Sequence, residues 1–146
     1  MDQRVSFITL VVTDLEATRK FYVEGLGWEP ELHEAGEVLM FRVADKVVLS
    51  LWAESFFVEE VGHHPARGGV PPITLAHNVA TKRGVDTVLE QAAVAGAKEI
   101  GEPVERDWGG YTGYFADPDG AHGSTDCPIS PGLYATSQRK PSGSAK

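Results

Sequence analysis

A single cysteine, Cys127, stands in a chain of 146 residues, so no disulfide closes within it and nothing points to an oxidising compartment. No apolar run is long enough to span a bilayer and no signal peptide is found, so the expected location is the cytoplasm and no membrane partner is expected. Basic residues are scarce: 13 Lys and Arg against 21 Asp and Glu give a net charge of -8. Nucleic acid would be repelled by such a surface, whereas cations gather near it. The same charge keeps a cytoplasmic protein soluble, so it permits a basic ligand without requiring one. No phosphate-binding loop occurs, because Gly109, Gly110 and Gly113 fall in a turn and a strand, not before a helix. Neither a Ser-His-Asp nor a Cys-His grouping is identifiable.

What is present begins with Val5 to Trp28. Alternation sends Ile8, Leu10 and Val12 to one side of a strand and Phe7, Thr9 and Val11 to the other. Asp14 offers an N-cap, Leu15, Thr18, Phe21 and Tyr22 recur at helical spacing, and Gly25 and Gly27 end the helix. The helix folds back on the first strand face and leaves the second, with Phe7 and Thr9, for something else.

Further along, Trp28 to Pro30 opens an edge segment and Ala35-Gly36-Glu37 reads as a hairpin turn. Val38–Val43 and Val47–Trp52 read as strands. Residues 5–53 thus form one β-α-β-β-β module. Residues 54–72, with His63-His64, Gly68-Gly69 and Pro71-Pro72, read as a connector without regular structure, a lid or strap between modules. Residues 73–128 repeat the plan: strand Ile73–Val79, helix Val85–Ala95 with Thr81 as N-cap, edge strand Ile100–Arg106, strand Tyr111–Ala116, the turn Asp117-Pro118-Asp119-Gly120 and a last strand Ala121–Cys127. Residues 129–146 read as an irregular or disordered tail. The expected fold is α+β, with two βαβββ modules forming one curved mixed sheet around a cleft, a natural place for a small molecule.

Residues 8–22 with Gly-Leu-Gly-Trp (25–28), and Trp-Gly-Gly-Tyr-Thr-Gly-Tyr-Phe-Ala-Asp-Pro-Asp-Gly (108–120), resemble the vicinal oxygen chelate superfamily. That superfamily includes glyoxalase I, extradiol dioxygenases, fosfomycin-resistance enzymes and bleomycin-binding resistance proteins. The resemblance implies a divalent metal held on the concave face by His and Glu or Gln from the first and last strands of each module. Carried over one at a time, those positions fall on Phe7, Ser50, Thr74 and Ser124, none of them a credible ligand. No metal site and no cofactor are therefore expected. A divalent metal enters only if His122, Asp126, His63 or His64 make a displaced site.

What remains for the cleft is largely aromatic. The expected ligand-binding residues are Phe7, Thr9, Met40 or Phe41 (whichever parity selects), Ser50, Trp52, Phe56, Thr74, Trp108, Tyr111, Tyr114 and Ser124. Aromatic walls suit flat, apolar or cationic ligands, and the resemblance implies the same, because bleomycin-type binders of the superfamily lack the metal site. The favoured expectation is a metal-independent binding protein that sequesters an aromatic or cationic compound, such as a glycopeptide-type antibiotic, and so serves antibiotic resistance. The alternatives are a glyoxalase-like lyase or dioxygenase with a displaced or absent metal site, and a structural domain with a vestigial cleft. A homodimer is expected, because exposed sheet edges invite pairing between chains.

Overall fold

Alternating β-branched and apolar residues make β1 (Phe7–Val12) the edge of a four-stranded sheet in the order β1-β4-β3-β2, with β2 Leu32–Glu34, β3 Val38–Ala44 and β4 Val47–Ala53. The structure, a computed structural model, describes residues 3–66, 73–98, 100–107 and 109–127, apart from the side chains of residues 126 and 127. β1 runs parallel to β4, with Ile8 opposite Leu49 and Leu10 opposite Leu51. The second half builds its own sheet in the order β5-β8-β7-β6, from β5 Thr74–Asn78, β6 Val104–Glu105, β7 Tyr111–Ala116 and β8 His122–Cys127. β5 is parallel to β8, so the two modules share one plan. The expected α+β architecture of two βαβββ modules is present.

The helix of the first module starts as expected: Asp14 caps α1 (Leu15–Arg19) by accepting from the Ala17 N–H at 2.9 Å. It then widens into a π-helical turn, Lys20–Gly25, closed by the Leu26 N–H on the Phe21 carbonyl at 2.9 Å. Phe21 and Tyr22 are both buried with Leu15 and Thr18, as their helical spacing anticipates, and meet edge to face at 5.0 Å. α3 (Lys82–Ala95) is capped by Thr81, which accepts from the Gly84 N–H, and ends at Gly96 in the left-handed region.

Two expectations change. Within the supposed connector, Glu54–Val61 is a helix, α2, ended by Gly62 at φ 80°. Glu-Ser-Phe-Phe-Val-Glu-Glu-Val holds no glycine or proline; the breakers all come later and dominate the average over 54–72. Residues 67–72, Trp108 and the tail 129–146 lie outside the described residues.

The second change concerns how the modules meet. β1 and β5 belong to separate ladders instead of pairing edge to edge. The modules join through their helix-covered faces. Leu75, Ala95, Ala97 and Phe115 of the second module pack on the same core as Leu39, Phe41, Leu49 and Leu51 of the first. This cluster joins the modules, a second one of Val85 and Leu89 with Val79, Tyr111 and Phe115 lies under α3, and the opposite face of each sheet is turned away from both. Among the described residues, no helix is long and apolar enough to cross a membrane.

Gly25 is where the two helices touch most closely: a Cβ there would stand 2.3 Å from Ala95 Cβ and 2.8 Å from its Cα. Backbone on the facing helix cannot step aside cheaply. Gly25→Ala is expected to destabilise the protein by about 1–3 kcal/mol through overpacking. Urea unfolding of Gly25→Ala, Ala95→Gly and the double variant checks this: the double variant should be more stable than the sum of the single losses predicts.

Candidate functional site

Parity divides each sheet into a core side and an open side. On the open side of the first sheet lie Phe7, Thr9 and Val11 of β1, Val48, Ser50 and Trp52 of β4 and Val38 and Met40 of β3, through the pairs Thr9–Ser50 and Ser50–Met40. Met40, not Phe41, is thus on the cleft face; Phe41 pairs with Leu49 and is buried in the core. On the second sheet the open side carries Thr74, Ala76 and Asn78 of β5, His122 and Ser124 of β8 and Tyr114 of β7. Tyr111 is one strand step out of phase with Tyr114. Its hydroxyl donates to Asp86 of α3 at 3.0 Å, which takes it out of the cleft set.

These faces mix large apolar side chains with small polar ones and are only partly covered within one chain. Phe7 is 56% exposed and Tyr114 43% exposed, and Thr9 and Thr74 are exposed as well. Ser50 and Ser124 lie buried between their neighbours. α2 turns back on the first sheet, where Phe57 meets Trp52 edge to face at 6.2 Å, while Phe56 stays exposed. The Oδ1 of Asn78, on the open side of β5, is shielded from solvent without a hydrogen-bond partner.

Two hollows flank this arrangement. One, of about 790 Å³, is polar and lies where β1 and β4 end, with Asp14, Glu16, His33, Glu54 and His64 among its walls. His64 Nδ1 is 3.2 Å from Glu54 Oε1 there. The other, of about 840 Å³, lies between the modules and includes Trp28, Phe41, Phe115, His77 and Ser124. Of its lining, only Phe41, Thr74 and Ser124 were among the residues expected from sequence. Trp28, Leu26 and Phe115 carry no local pattern that marks them, because the hollow exists only once the modules dock.

A family model for the glyoxalase/bleomycin resistance protein/dioxygenase superfamily matches residues 4–122, across both modules. The chain belongs to this superfamily. Among solved structures, a glyoxalase-related enzyme from Fulvimarina pelagi is 32% identical, with a TM-score of 0.77 over 88% of this chain and 94% of that one. A glyoxalase/bleomycin resistance protein/dioxygenase from Nocardioides is 25% identical, with a TM-score of 0.71 over 90% and 87% of the two chains. Lactoylglutathione lyase from Agrobacterium tumefaciens, 20% identical with a TM-score of 0.66 over 86% and 94%, is similar in fold. A search of curated proteins finds no match.

The glyoxalase/bleomycin resistance scaffold can hold a divalent metal, so its fit to these residues was tested. Phe7, Ser50, Thr74 and Ser124 all stand on the open faces, where the resemblance puts the ligands. They offer a phenyl ring and three hydroxyls, with no imidazole or carboxylate. Among the described residues, no three His, Cys, Asp or Glu side chains are grouped to hold an ion. The residues present do not fit the metal. His122 stands opposite Thr74 in the β5–β8 register, but His63 and His64 follow α2 elsewhere in the chain, and the Asp126 side chain is outside the described set.

The turn of this superfamily member that precedes β8 ties the modules together. Asp117 is 1% exposed, and its carboxylate accepts from the Asp119 N–H at 3.0 Å, the Ala121 N–H at 2.8 Å and the Tyr22 hydroxyl at 3.1 Å. Asp119 reaches the other way, accepting from the Thr13 N–H at 2.8 Å and from its hydroxyl. Burial pushes Asp117 above its ordinary value of 3.8, against the lowering by its three donors, and burial beside that carboxylate pushes Tyr22 up as well. A carboxyl whose folded pKa is raised binds its proton more tightly in the folded state. Its contribution to stability is therefore greatest at low pH and is lost as pH rises through the folded value. Asp117→Asn lacks this titration. Relative to wild type, Asp117→Asn is expected to be more stable at pH 7 than at pH 4, read from urea midpoints across that range.

Proposed function

We propose that the chain is a metal-independent small-molecule-binding protein of this superfamily, acting in the cytoplasm. Its cleft takes an aromatic or cationic compound, with glycopeptide-type antibiotics such as bleomycin as the leading class. One observation carries the reading: all four positions that would hold the metal are on the cleft faces, and they are Phe7, Ser50, Thr74 and Ser124. A phenyl ring and hydroxyls make a surface for stacking and neutral hydrogen bonds, not for a dication. The net charge of -8 favours a cationic ligand on approach.

The cleft is completed by a second copy of the chain. β1 and β5 are edge strands, β1 with the exposed Phe7, and an open edge beside an uncovered face is stable in water once another sheet covers it. A homodimer would set the Phe7 face of one chain against the Tyr114 face of the other.

A second reading, an enzyme of the superfamily without the usual metal site, is supported by the 32% identical relative, which is described as a glyoxalase-related enzyme. His122 on the open face is the imidazole this reading would use.

Calorimetric titration with bleomycin, before and after dialysis against EDTA, tests the binding reading. Saturable binding that survives the chelator is expected, weakened about tenfold or more in Phe7→Ala. Stoichiometric metal in protein purified without nickel, with binding abolished by EDTA, would overturn it. Analytical ultracentrifugation tests the assembly: a dimer is expected, with Phe7→Glu shifting it to monomer.

A further inference from the structure

The hollow of about 840 Å³ between the modules meets the open face of the second sheet at Thr74, Ala76, His122 and Ser124, and its aromatic lining has no part in the cleft reading. Its size falls in the range of roughly 300–1,000 Å³ that holds small organic molecules. One wall is aromatic and held in place before any ligand arrives. Trp28 lies 5.2 Å from Tyr22 and 5.3 Å from Phe41, and Tyr22 lies 5.7 Å from Phe41, so each ring is braced by two others. Phe115 makes the facing wall from the second module. A Cβ on Gly123 would come within 2.8 Å of the Phe115 ring, so it is the glycine that lets this ring lie against β8. Ordering such walls in advance removes part of the entropic cost of binding.

Among the polar groups of the hollow, the His77 ring shares the Phe115 side of the second sheet, and Arg42 stands on the first-module side, bridged to Glu31. Thr74, His122 and Ser124 belong to the opposite, open face of that sheet. Glu29 is the one carboxylate among the described lining residues, and it is exposed.

We propose that this hollow is a second small-molecule site, for a planar aromatic compound that carries an acceptor oxygen such as a carboxylate. The ring system inserts between Trp28 and Phe115, and the oxygen meets the His77 ring and the Arg42 guanidinium. Because the walls come from different modules, a bound ligand also braces their docking. This differs from the cleft site in both place and charge preference, so either can fail without the other.

The probe is 2-naphthoate, with 2-naphthylmethylammonium as its cationic counterpart. Binding is followed by Trp28 fluorescence in a Trp52→Phe, Trp108→Phe background and by melting temperature in the wild type. Two variants fill the hollow without removing a core contact: Val43→Trp at its exposed rim and Ala121→Phe at the start of β8. Naphthoate is expected to bind saturably, more tightly than the ammonium, and about tenfold more weakly in each filled variant. Phe7→Ala, on the open face, is expected to retain naphthoate binding. The proposal is overturned if naphthoate gives no saturable response, if the ammonium binds more tightly, or if both filled variants bind as wild type. Loss of naphthoate binding in Phe7→Ala alone would move the site to the cleft and overturn the proposal too.

Discussion

The arrangement of the two modules depends on a buried carboxylate. Removing a carboxylate from water is costly unless donors replace the water, and Asp117 finds three: two backbone N–H groups of its own turn and the Tyr22 hydroxyl from the other module. The first two shape the turn that starts β8, and the third fixes that turn against the first helix. Asp119, two residues on, anchors to Thr13 at the end of β1. One four-residue turn thus locks a strand start in the second module to both the strand and the helix of the first. Ala121 to Ser124, which follow directly, take their position from it.

From that docking comes the division of labour between faces. Leu75 and Phe115 on the core side of the second sheet pack on the first module's apolar cluster, where Tyr22, held by Asp117, also packs on Phe21, Trp28 and Phe41. Each sheet is left with a second face that the chain itself does not cover. A four-stranded sheet with water on one face is stable when that face is polar. Here it carries Phe7, Val11, Val48 and Tyr114. Exposed rings and β-branched side chains on an uncapped edge are what a monomer avoids. That composition makes the open faces the natural place for a partner copy and a ligand together.

Much of this was legible in the residues, and the parts that were not have physical causes. Alternation in Phe7–Val12 sorted the two faces correctly, because strand parity is a local property. Asp14 and Thr81 marked helix starts, and Gly96 a helix end, because caps answer to backbone groups within a few residues. The choice between Met40 and Phe41 needed register, which comes from the pairing of β3 with β4, whereas the three-residue separation of Tyr111 and Tyr114 along β7 already puts them on opposite sides by parity. α2 was hidden by averaging Glu54–Val61 with the glycines and prolines beyond it. The π-helical turn at Lys20–Gly25 was hidden for a different reason. It pays off only through tertiary packing, by burying Phe21 and Tyr22 together while Gly25 meets Ala95. The inter-module hollow was beyond any local pattern, since its walls lie more than eighty residues apart along the chain between Trp28 and Phe115.

The open faces also explain how a scaffold that can hold a metal serves a chain without the ligands for one. A dication site needs two or three charged or imidazole donors fixed at bonding distance, and each is costly to bury when the ion is absent. Phenylalanine, serine and threonine at those positions carry no such penalty, so the sheets keep their geometry with nothing bound. The four positions still point into the space where the faces of two modules would meet. What they present there is a stacking ring beside small hydroxyls. Recognition on such a surface rests on shape, stacking and hydrogen bonds, whose strength grows as water is excluded. Closure of the face by a second chain would supply that exclusion. On this scaffold, the ring, the hydroxyls and the open strand edge β1 belong to one continuous uncovered surface.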